Sequence, residues 1–418
     1  MNVLVVGSGG REHAICWKLR QSNRIDRLFC APGNGGISEI AECVGVAAAD
    51  IDGMVRFAAE SSIDFVVVAP DDPLALGMVD AFDSAGIRAF GPRKEAAVIE
   101  SSKAFSKNLM RKYDIPTARY EIFTDICEAR EYINKKGAPI VVKADGLALG
   151  KGVVVAPDTE TALAAVDSMM IDGKFGVSGK RVVIEEFMTG PEVTVLVFTD
   201  GATITPMLSS QDHKRAFTGD LGPNTGGMGA ICPSPRYTGE IADLCMKTIF
   251  RPTIEAMNKE GRRFKGVLYF GLMLTPDGPR VVEYNARFGD PEAQAVLAML
   301  KTDLLDIFEA VADERLYAVT PEWRDGYACC VVMASGGYPD NYKTGFTISG
   351  LNDVPDDLIV FHAGTARSGS SFVTKGGRVL GVTSTGVSLE SASARAYEGI
   401  SMINFENAHY RTDIGKNC

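Results

Sequence analysis

The chain has 418 residues, 46% of them hydrophobic and 23% charged. That is globular composition, which excludes extended disorder, and at roughly 150 residues per domain it predicts two or three domains. The net charge is −10, from 43 Lys+Arg against 53 Asp+Glu, which argues against a broad nucleic-acid surface, because phosphates need a basic face.

Asn2–Val6 reads as a short strand ending in glycines, and Glu12–Arg20 as a helix with Ala14, Ile15, Trp17 and Leu19 at helical spacing. Arg27–Ala31, Asp64–Ala69 and Ile87–Phe90 are further strands, each closed by Gly or Pro. This rhythm predicts an α/β unit with a doubly wound parallel sheet over residues 1–101, where ligands sit at the carboxyl ends of strands. One helical region is expected from Pro92 through Lys103 to Tyr113, ended by Ile115-Pro116. There follow strand Tyr120–Phe123, helix Cys127–Lys135, strand Ile140–Lys143, a glycine-rich loop, strand Val153–Ala156, helix Thr161–Met170 and strand Arg181–Glu185. Val193–Thr205 predicts a hairpin turned at Asp200-Gly201, and Val267–Leu274 with Arg280–Tyr284 another, turned at Asp277-Gly278. Thr238–Lys259 is a long helix, and Ala293–Leu300 and Leu304–Val311 are shorter ones. Beyond Tyr327, strands Ala328–Ala334, Leu358–Phe361 and Val379–Thr383 and helix Leu389–Met402 predict a β-rich α+β unit.

No apolar run reaches the roughly 18 residues of a membrane span. The start, Met1–Gly7, lacks the basic region and cleavage site of a secretory leader. Nine cysteines without a C-x-x-C pair read as reduced thiols of a cytoplasmic protein.

Five motifs carry chemistry. Gly7-Ser8-Gly9-Gly10-Arg11-Glu12-His13 resembles a dinucleotide fingerprint, but Glu12 occupies the third glycine position, which weakens a dehydrogenase reading. Gly9 and Gly10 are expected to turn bare amides toward an anion at a helix N-terminus, with Arg11 adding a charged contact; a plain tight turn is the alternative. Lys143 ends a strand, and Gly146–Gly152, with Gly150 and Lys151, is not a Walker loop because Gly152 follows the lysine. It suits a mobile flap over a triphosphate, with Lys143 on the inner phosphates. In Glu185-Glu186-Phe187 and Glu192, backbone atoms can meet an adenine edge and a carboxylate a ribose, or the pair is a solvated strand end. Glu283 and Asn285 share a strand face at period two, with Arg287 following on it; two oxygen ligands with open positions is how proteins hold Mg²⁺. Ser209–Arg215 and Gly222–Gly229 read as loops able to form an anion nest. His213 within them is read as orienting a neighbour, not as a general base.

These motifs, with Ser102-Lys103-Ala104-Phe105 and Asn285–Glu292, occur in one order from the first strand to Asp413-Ile414-Gly415. Together they closely resemble the phosphoribosylamine–glycine ligases of the ATP-grasp superfamily. The resemblance implies an N-terminal Rossmann-like domain (1–101), an ATP-grasp domain (102–326, with a flap of about 120–190) and a C-terminal domain (327–418). It implies that ATP phosphorylates glycine, and that the glycyl phosphate is attacked by 5-phosphoribosylamine. By matching position it assigns Lys103, Lys143, Gly150, Lys151, Glu185, Glu186, Phe187 and Glu192 to ATP, and Glu283 and Asn285 to Mg²⁺ or Mn²⁺. It assigns catalysis to Arg287 and Lys143, and the other substrates to Gly9, Gly10, Arg11, Asp212, Lys214, Asn224, Thr225, Gly226 and Asp290. The partners implied are small molecules only, with neither nucleic acid nor membrane, and a monomer is the working state. Two departures are Asp71, where the family pattern has Glu, and Pro191, where Glu is frequent. The rivals are another ATP-grasp carboxylate–amine ligase, a non-catalytic nucleotide-binding protein, and the dehydrogenase.

Overall fold

The computed structural model describes residues 1–147, 152–172 and 176–416. The N-terminal sheet is parallel and five-stranded, in order β3-β2-β1-β4-β5, from β1 (Asn2–Gly7), β2 (Arg27–Pro32), β3 (Glu42–Cys43), β4 (Phe65–Val68) and β5 (Arg88–Phe90). Both faces are covered, and alternation along β1 sorts its side chains: Val3 and Val5 enter one core, Leu4 and Val6 the other. Helix α1 (Gly10–Leu19) follows β1; α2 (Ile51–Glu60) precedes β4, and α3 (Asp71–Leu76) and α4 (Met78–Ser84) follow it.

The single helical region expected over Pro92–Tyr113 is two helices, α5 (Lys94–Ser101) and α6 (Lys103–Lys112). Ser102 between them is extended (φ −135°, ψ 108°), and its Oγ accepts from the Phe105 amide at 3.1 Å. A carboxylate 43 residues away completes this cap: Asp145 Oδ1 accepts from Ser102 Oγ and from the Ala104 amide, both at 3.0 Å. The break puts Lys103 on the first turn of α6.

An antiparallel sheet of order β6-β9-β7-β8 follows, from β6 (Tyr120–Phe123), β7 (Ile140–Ala144), β8 (Val153–Ala156) and β9 (Val182–Glu186). Helices α7 (Ile126–Lys136) and α8 (Thr159–Met170) cover one face through Ile140, Val142, Val182 and Ile184. The alternation leaves Lys143, Val183 and Glu185 on the other face. Next, β10 (Glu192–Thr199) pairs with β11 (Ile204–Pro206) as the expected hairpin.

The segments expected as glycine-rich loops contain strands: β12 (Gln211–Asp212), β13 (Arg215–Phe217), β14 (Leu221–Asn224) and β15 (Gly229–Cys232). They are short: β13 pairs with β14 and β12 with β15, and β15 also pairs with a strand of the C-terminal part. The expected long helix is continuous through Gly239–Cys245, a π turn at Met246–Phe250 and Arg251–Lys259. Strands β16 (Gly266–Thr275) and β17 (Gly278–Asn285) form the second hairpin and complete a sheet of order β11-β10-β16-β17. Of two buried helices, Glu292–Met299 packs on α1 and on the sheet of the C-terminal part, and Leu304–Ala312 on β5.

In the C-terminal part, β18 (Tyr327–Ser335), β20 (Ile359–His362) and β23 (Arg378–Gly386) join β12 and β15 in one sheet, order β12-β15-β18-β23-β20, with β24 (Ala408–His409) also on β18. The two-residue β19 (Thr347–Ile348), with β21 (Thr365–Ser368) and β22 (Ser371–Thr374), makes a three-stranded sheet, and helix Leu389–Met402 stands as predicted. No helix among the described residues is long and apolar enough to cross a membrane.

Candidate active site

Two sheets face each other across the site. From the β6–β9 sheet, the Lys143 ammonium lies 3.0 Å from Glu185 Oε2 and donates to the Val282 carbonyl of β17 at 3.1 Å. Glu185 Oε2 is shared with a second lysine, Lys107 Nζ, also at 3.0 Å, and all three side chains are almost wholly buried. Lys107 Nζ further donates to Thr117 Oγ1 at 2.7 Å, whose hydroxyl donates to the Val281 carbonyl at 2.7 Å. Sequence reading missed Lys107, although it lies four residues after Lys103 on the same helix face. Lys103 Nζ donates to the Gly146 carbonyl at 2.9 Å. Burial lowers its pKa, against the pull of Glu283. Gly150 and Lys151 lie outside the described residues, as does most of the predicted flap loop.

Glu186 turns its carboxylate to the linker before β6, accepting from the Arg119 amide at 2.9 Å and Arg280 Nη1 at 3.2 Å. Phe187 is 42% exposed beside it. Glu192, at the start of β10, pairs with Lys214 at 2.8 Å. Lys214 also stands 3.9 Å from Glu283, so the structure sets it beside the nucleotide and metal candidates, not only among the substrate ones. Burial works against the Lys214 charge, but Glu192 and Glu283 outweigh it and raise the pKa well above the ordinary lysine value.

On β17, burial would push Glu283 toward its neutral form, but Lys214, Lys143, Lys103 and Arg287 together hold it below the usual carboxylate range. Glu283 is therefore an anionic oxygen donor at neutral pH. When Asn285 directs its amide nitrogen to Glu100 Oε1 and the Tyr284 carbonyl, each at 3.1 Å, its own carbonyl oxygen is the atom left for a cation. This oxygen pair suits a hard divalent ion whose other positions are filled by water and phosphate. No cluster of three or more His, Cys, Asp or Glu ligands occurs among the described residues. Arg287 follows, with Nη2 2.8 Å from Glu100 Oε1 and 3.9 Å from Asp71 Oδ2. The shorter Asp71 thus still reaches the arginine.

At the other end, the motif after β1 departs from expectation. The Gly9 amide is not bare: it donates to Glu12 Oε2 at 2.6 Å, while the Arg11 amide donates to Asp290 Oδ2 at 3.3 Å. Glu12 also accepts from Arg11 Nε at 2.6 Å, and Arg11 Nη1 donates to the Phe288 carbonyl at 3.2 Å. The carboxylate explains the preceding glycine. Gly7 has φ +128°, and a Cβ there would meet Glu12 Cγ at 2.4 Å.

Arg378, from β23, donates to the carbonyls of Gly226 and Asp290, both at 2.6 Å, so the C-terminal part seals this end. Thr225 Oγ1 donates to the Lys214 carbonyl at 2.8 Å and the Gly226 amide to Tyr338 Oη at 3.0 Å, whereas Asn224 is exposed at the end of β14. Burial and the neighbouring Glu292 raise Asp212 well above the ordinary carboxylate pKa. His213 is buried, with Nδ1 3.3 Å from the Gly229 carbonyl. Among the described residues, Glu185 Oε1, Asp212 Oδ1 and Arg287 Nε are buried without a hydrogen-bond partner. Groups of this kind call for a ligand to complete them. Arg378 and Glu100 had no local motif to announce them, since each acts on residues brought near only by folding; Glu292 closes the motif begun at Asn285 but was given no role of its own.

Comparison with known proteins gives three matches in chain order: the phosphoribosylglycinamide synthetase N domain over residues 1–100, its ATP-grasp (A) domain over 101–293 and its C domain over 328–417. The phosphoribosylamine–glycine ligase of Halalkalibacterium halodurans is 49% identical, covering 99% of this chain and 96% of the relative. That of Allochromatium vinosum is also 49% identical, covering 99% and 98%. The crystal structure of the Thermotoga maritima ligase superposes with a TM-score of 0.85 at 33% identity, over 99% of this chain and 100% of that one. The biotin carboxylase domain of Hydrogenobacter thermophilus 2-oxoglutarate carboxylase, at 15% identity and a TM-score of 0.76, shares the fold alone. Glu283 thus stands in the ATP-grasp domain and Glu12 in the N domain, and the chain belongs to the phosphoribosylglycinamide synthetase family, the phosphoribosylamine–glycine ligases.

Proposed function

We propose that the protein is an ATP-dependent ligase joining glycine to 5-phospho-β-D-ribosylamine, giving glycinamide ribonucleotide, ADP and phosphate in purine biosynthesis. A carboxylate oxygen of glycine attacks the γ-phosphorus and the bond to ADP breaks. The amine nitrogen then attacks the acyl carbon, phosphate leaves and the nitrogen gives up a proton. No enzyme nucleophile is needed, so catalysis is positioning and charge neutralisation.

In this reading Lys103 and Lys143, with Gly150 and Lys151, take the triphosphate. The main chain at Glu185–Phe187 takes the adenine edge, and Glu192 the ribose once Lys214 yields it. Glu283 and the Asn285 carbonyl oxygen hold Mg²⁺ or Mn²⁺, which when bound neutralises phosphate charge. Arg287 faces the acyl phosphate. Gly9, Gly10 and Arg11 receive the phosphoribosyl group, while Asp212, Lys214, Asn224, Thr225, Gly226 and Asp290 frame glycine and the amine.

The observation that carries the reading is Lys143 meeting β17 at Val282, one residue before Glu283, at 3.1 Å. It supports the reading because it brings the lysine proposed for phosphate beside the strand that carries the carboxylate proposed for metal. The test is ADP release in the presence of glycine and phosphoribosylamine, separately and together. Release requiring both supports the reading; equal release with formate or bicarbonate in place of glycine favours another ATP-grasp ligase.

A further inference from the structure

Two buried lysines share one carboxylate oxygen. Lys107 Nζ and Lys143 Nζ each lie 3.0 Å from Glu185 Oε2, and no side chain of the three is more than 6% exposed. Within this triad two cations and one anion leave a net charge of +1, which faces Glu283 along β17 and is completed in full when a further anion binds. Lys107 is also tied down on its other side by Thr117 Oγ1 at 2.7 Å, and through it to the Val281 carbonyl. Lys143 instead has a main-chain contact, to Val282, at the mouth of the site. The two lysines are therefore not equivalent: one is locked between helix α6 and the linker before β6, and the other stands where β7 meets the metal strand.

We infer that Lys107 is a positioning residue: by taking up the charge of Glu185 it leaves the charge of Lys143 uncompensated, and so available to the nucleotide phosphates. Without Lys107, the charge of Glu185 falls on Lys143 alone, and the phosphates lose the free charge of Lys143 although Lys107 itself does not touch them. Burial lowers the Lys107 pKa to about 8, against the raising effect of Glu185, so the ammonium form persists at neutral pH. The inference rests on the reading of this site as an ATP site.

The test is calorimetric titration of the full-length protein with Mg·AMP-PNP. Lys143→Met probes the underlying reading, and unchanged affinity in that variant defeats the ATP assignment of Lys143 itself. Lys107→Met is expected to weaken binding by about tenfold or more, the scale of one lost hydrogen bond to a charged group. If Lys143→Met weakens binding and a folded Lys107→Met does not, the inference about Lys107 alone is overturned. Lys107→Met combined with Glu185→Gln restores the net charge of +1, and is expected to recover affinity to within about threefold of wild type. A double variant as weak as Lys107→Met, or weaker, makes Lys107 a packing residue and overturns the inference. Should Lys107→Met not fold, the double variant is compared with Glu185→Gln, which carries two free cations. The double is then expected to bind within about threefold of Glu185→Gln, because no carboxylate is left for Lys107 to neutralise, and a double weaker by about tenfold or more overturns the inference.

Discussion

Arg287 and Glu100 form an ion pair of 2.8 Å between the segment after β17 and helix α5. The arginine is thus held in place before any substrate arrives, with its Nε buried and unpartnered among the described residues. Glu100 is itself buried, and burial raises its pKa against the lowering effect of Arg287. A preorganised donor of this kind pays its ordering cost on folding, which is how electrostatic catalysis gains most.

Arg287→Ala is therefore expected to lower kcat by about 10²-fold, the usual size for losing one such donor. Nucleotide affinity should change little, because the proposed adenine and ribose contacts lie elsewhere, at Glu185–Phe187 and Glu192. Arg287→Lys should recover part only, since a point charge cannot make the planar two-pronged contact. Steady-state kcat alongside direct nucleotide titration checks this. Normal turnover at saturation with weakened ATP binding would make Arg287 a nucleotide anchor instead.

For the metal pair, Glu283→Gln and Asn285→Ala should each depress turnover at low Mg²⁺ with melting temperatures near wild type. Each removes an oxygen donor at a strand end without opening a core. Activity measured across a Mg²⁺ series decides the matter, and wild-type rates in both variants at low Mg²⁺ would falsify the assignment.

His13 should make stability depend on pH. Its Nδ1 accepts from the His362 amide at 2.8 Å, joining α1 to β20, and burial, then His362, lowers its pKa to about 3 from 6.5. Burial likewise lowers His362 to about 4. Both are neutral in the fold, so their stabilising contribution is complete above about pH 6.5. Below that, the unfolded chain takes up protons the folded one refuses, and stability declines progressively toward the folded-state values. Thermal melts between pH 7 and 4 should show this decline, and His13→Asn, which keeps an acceptor but cannot titrate, should flatten part of it. Parallel curves for the two proteins would exclude His13 as the source.

Gly227 should resist substitution. It has φ +112°, and a Cβ would fall 2.4 Å from Pro291 Cδ and 2.6 Å from Asp212 Oδ1. Gly227→Ala is expected to cost about 1–3 kcal/mol of stability from the strained backbone, and to lower turnover by displacing Asp212. Urea unfolding and an activity assay together check both effects; a neutral result in both would mean the loop relaxes without moving Asp212.

Strands with long apolar runs, such as β1, β4 and β16, were legible because burial on both faces leaves a continuous signal. The helix break at Ser102 was not, because the cap is completed by Asp145, which no local pattern can announce. The strands β12 and β15 were hidden for a related reason: they are two and four residues long, and β15, on which β12 pairs, takes its form from β18 far along the chain. In the site, period-two spacing put Glu283 and Asn285 on one face, and folding brings Lys103, Lys143, Lys214 and Arg287 around Glu283. The amide of Gly9 was misread because a helix start looks open in sequence, whereas Glu12 closes it one turn later.

Because β15 pairs with β18 from Gly229↔Val331 to Cys232↔Ala328, the sheet is woven from chain on both sides of residue 327. The three stretches of sequence are therefore not three building blocks. A fragment ending near residue 326 carries β15 with one edge bare, a template for any strand that meets it. It also lacks Arg378, which ties Gly226 to Asp290. Ribosomal synthesis meets the same constraint: the segment bearing Asp212 emerges long before β18, and must wait for the chain beyond Tyr327 before its sheet can close.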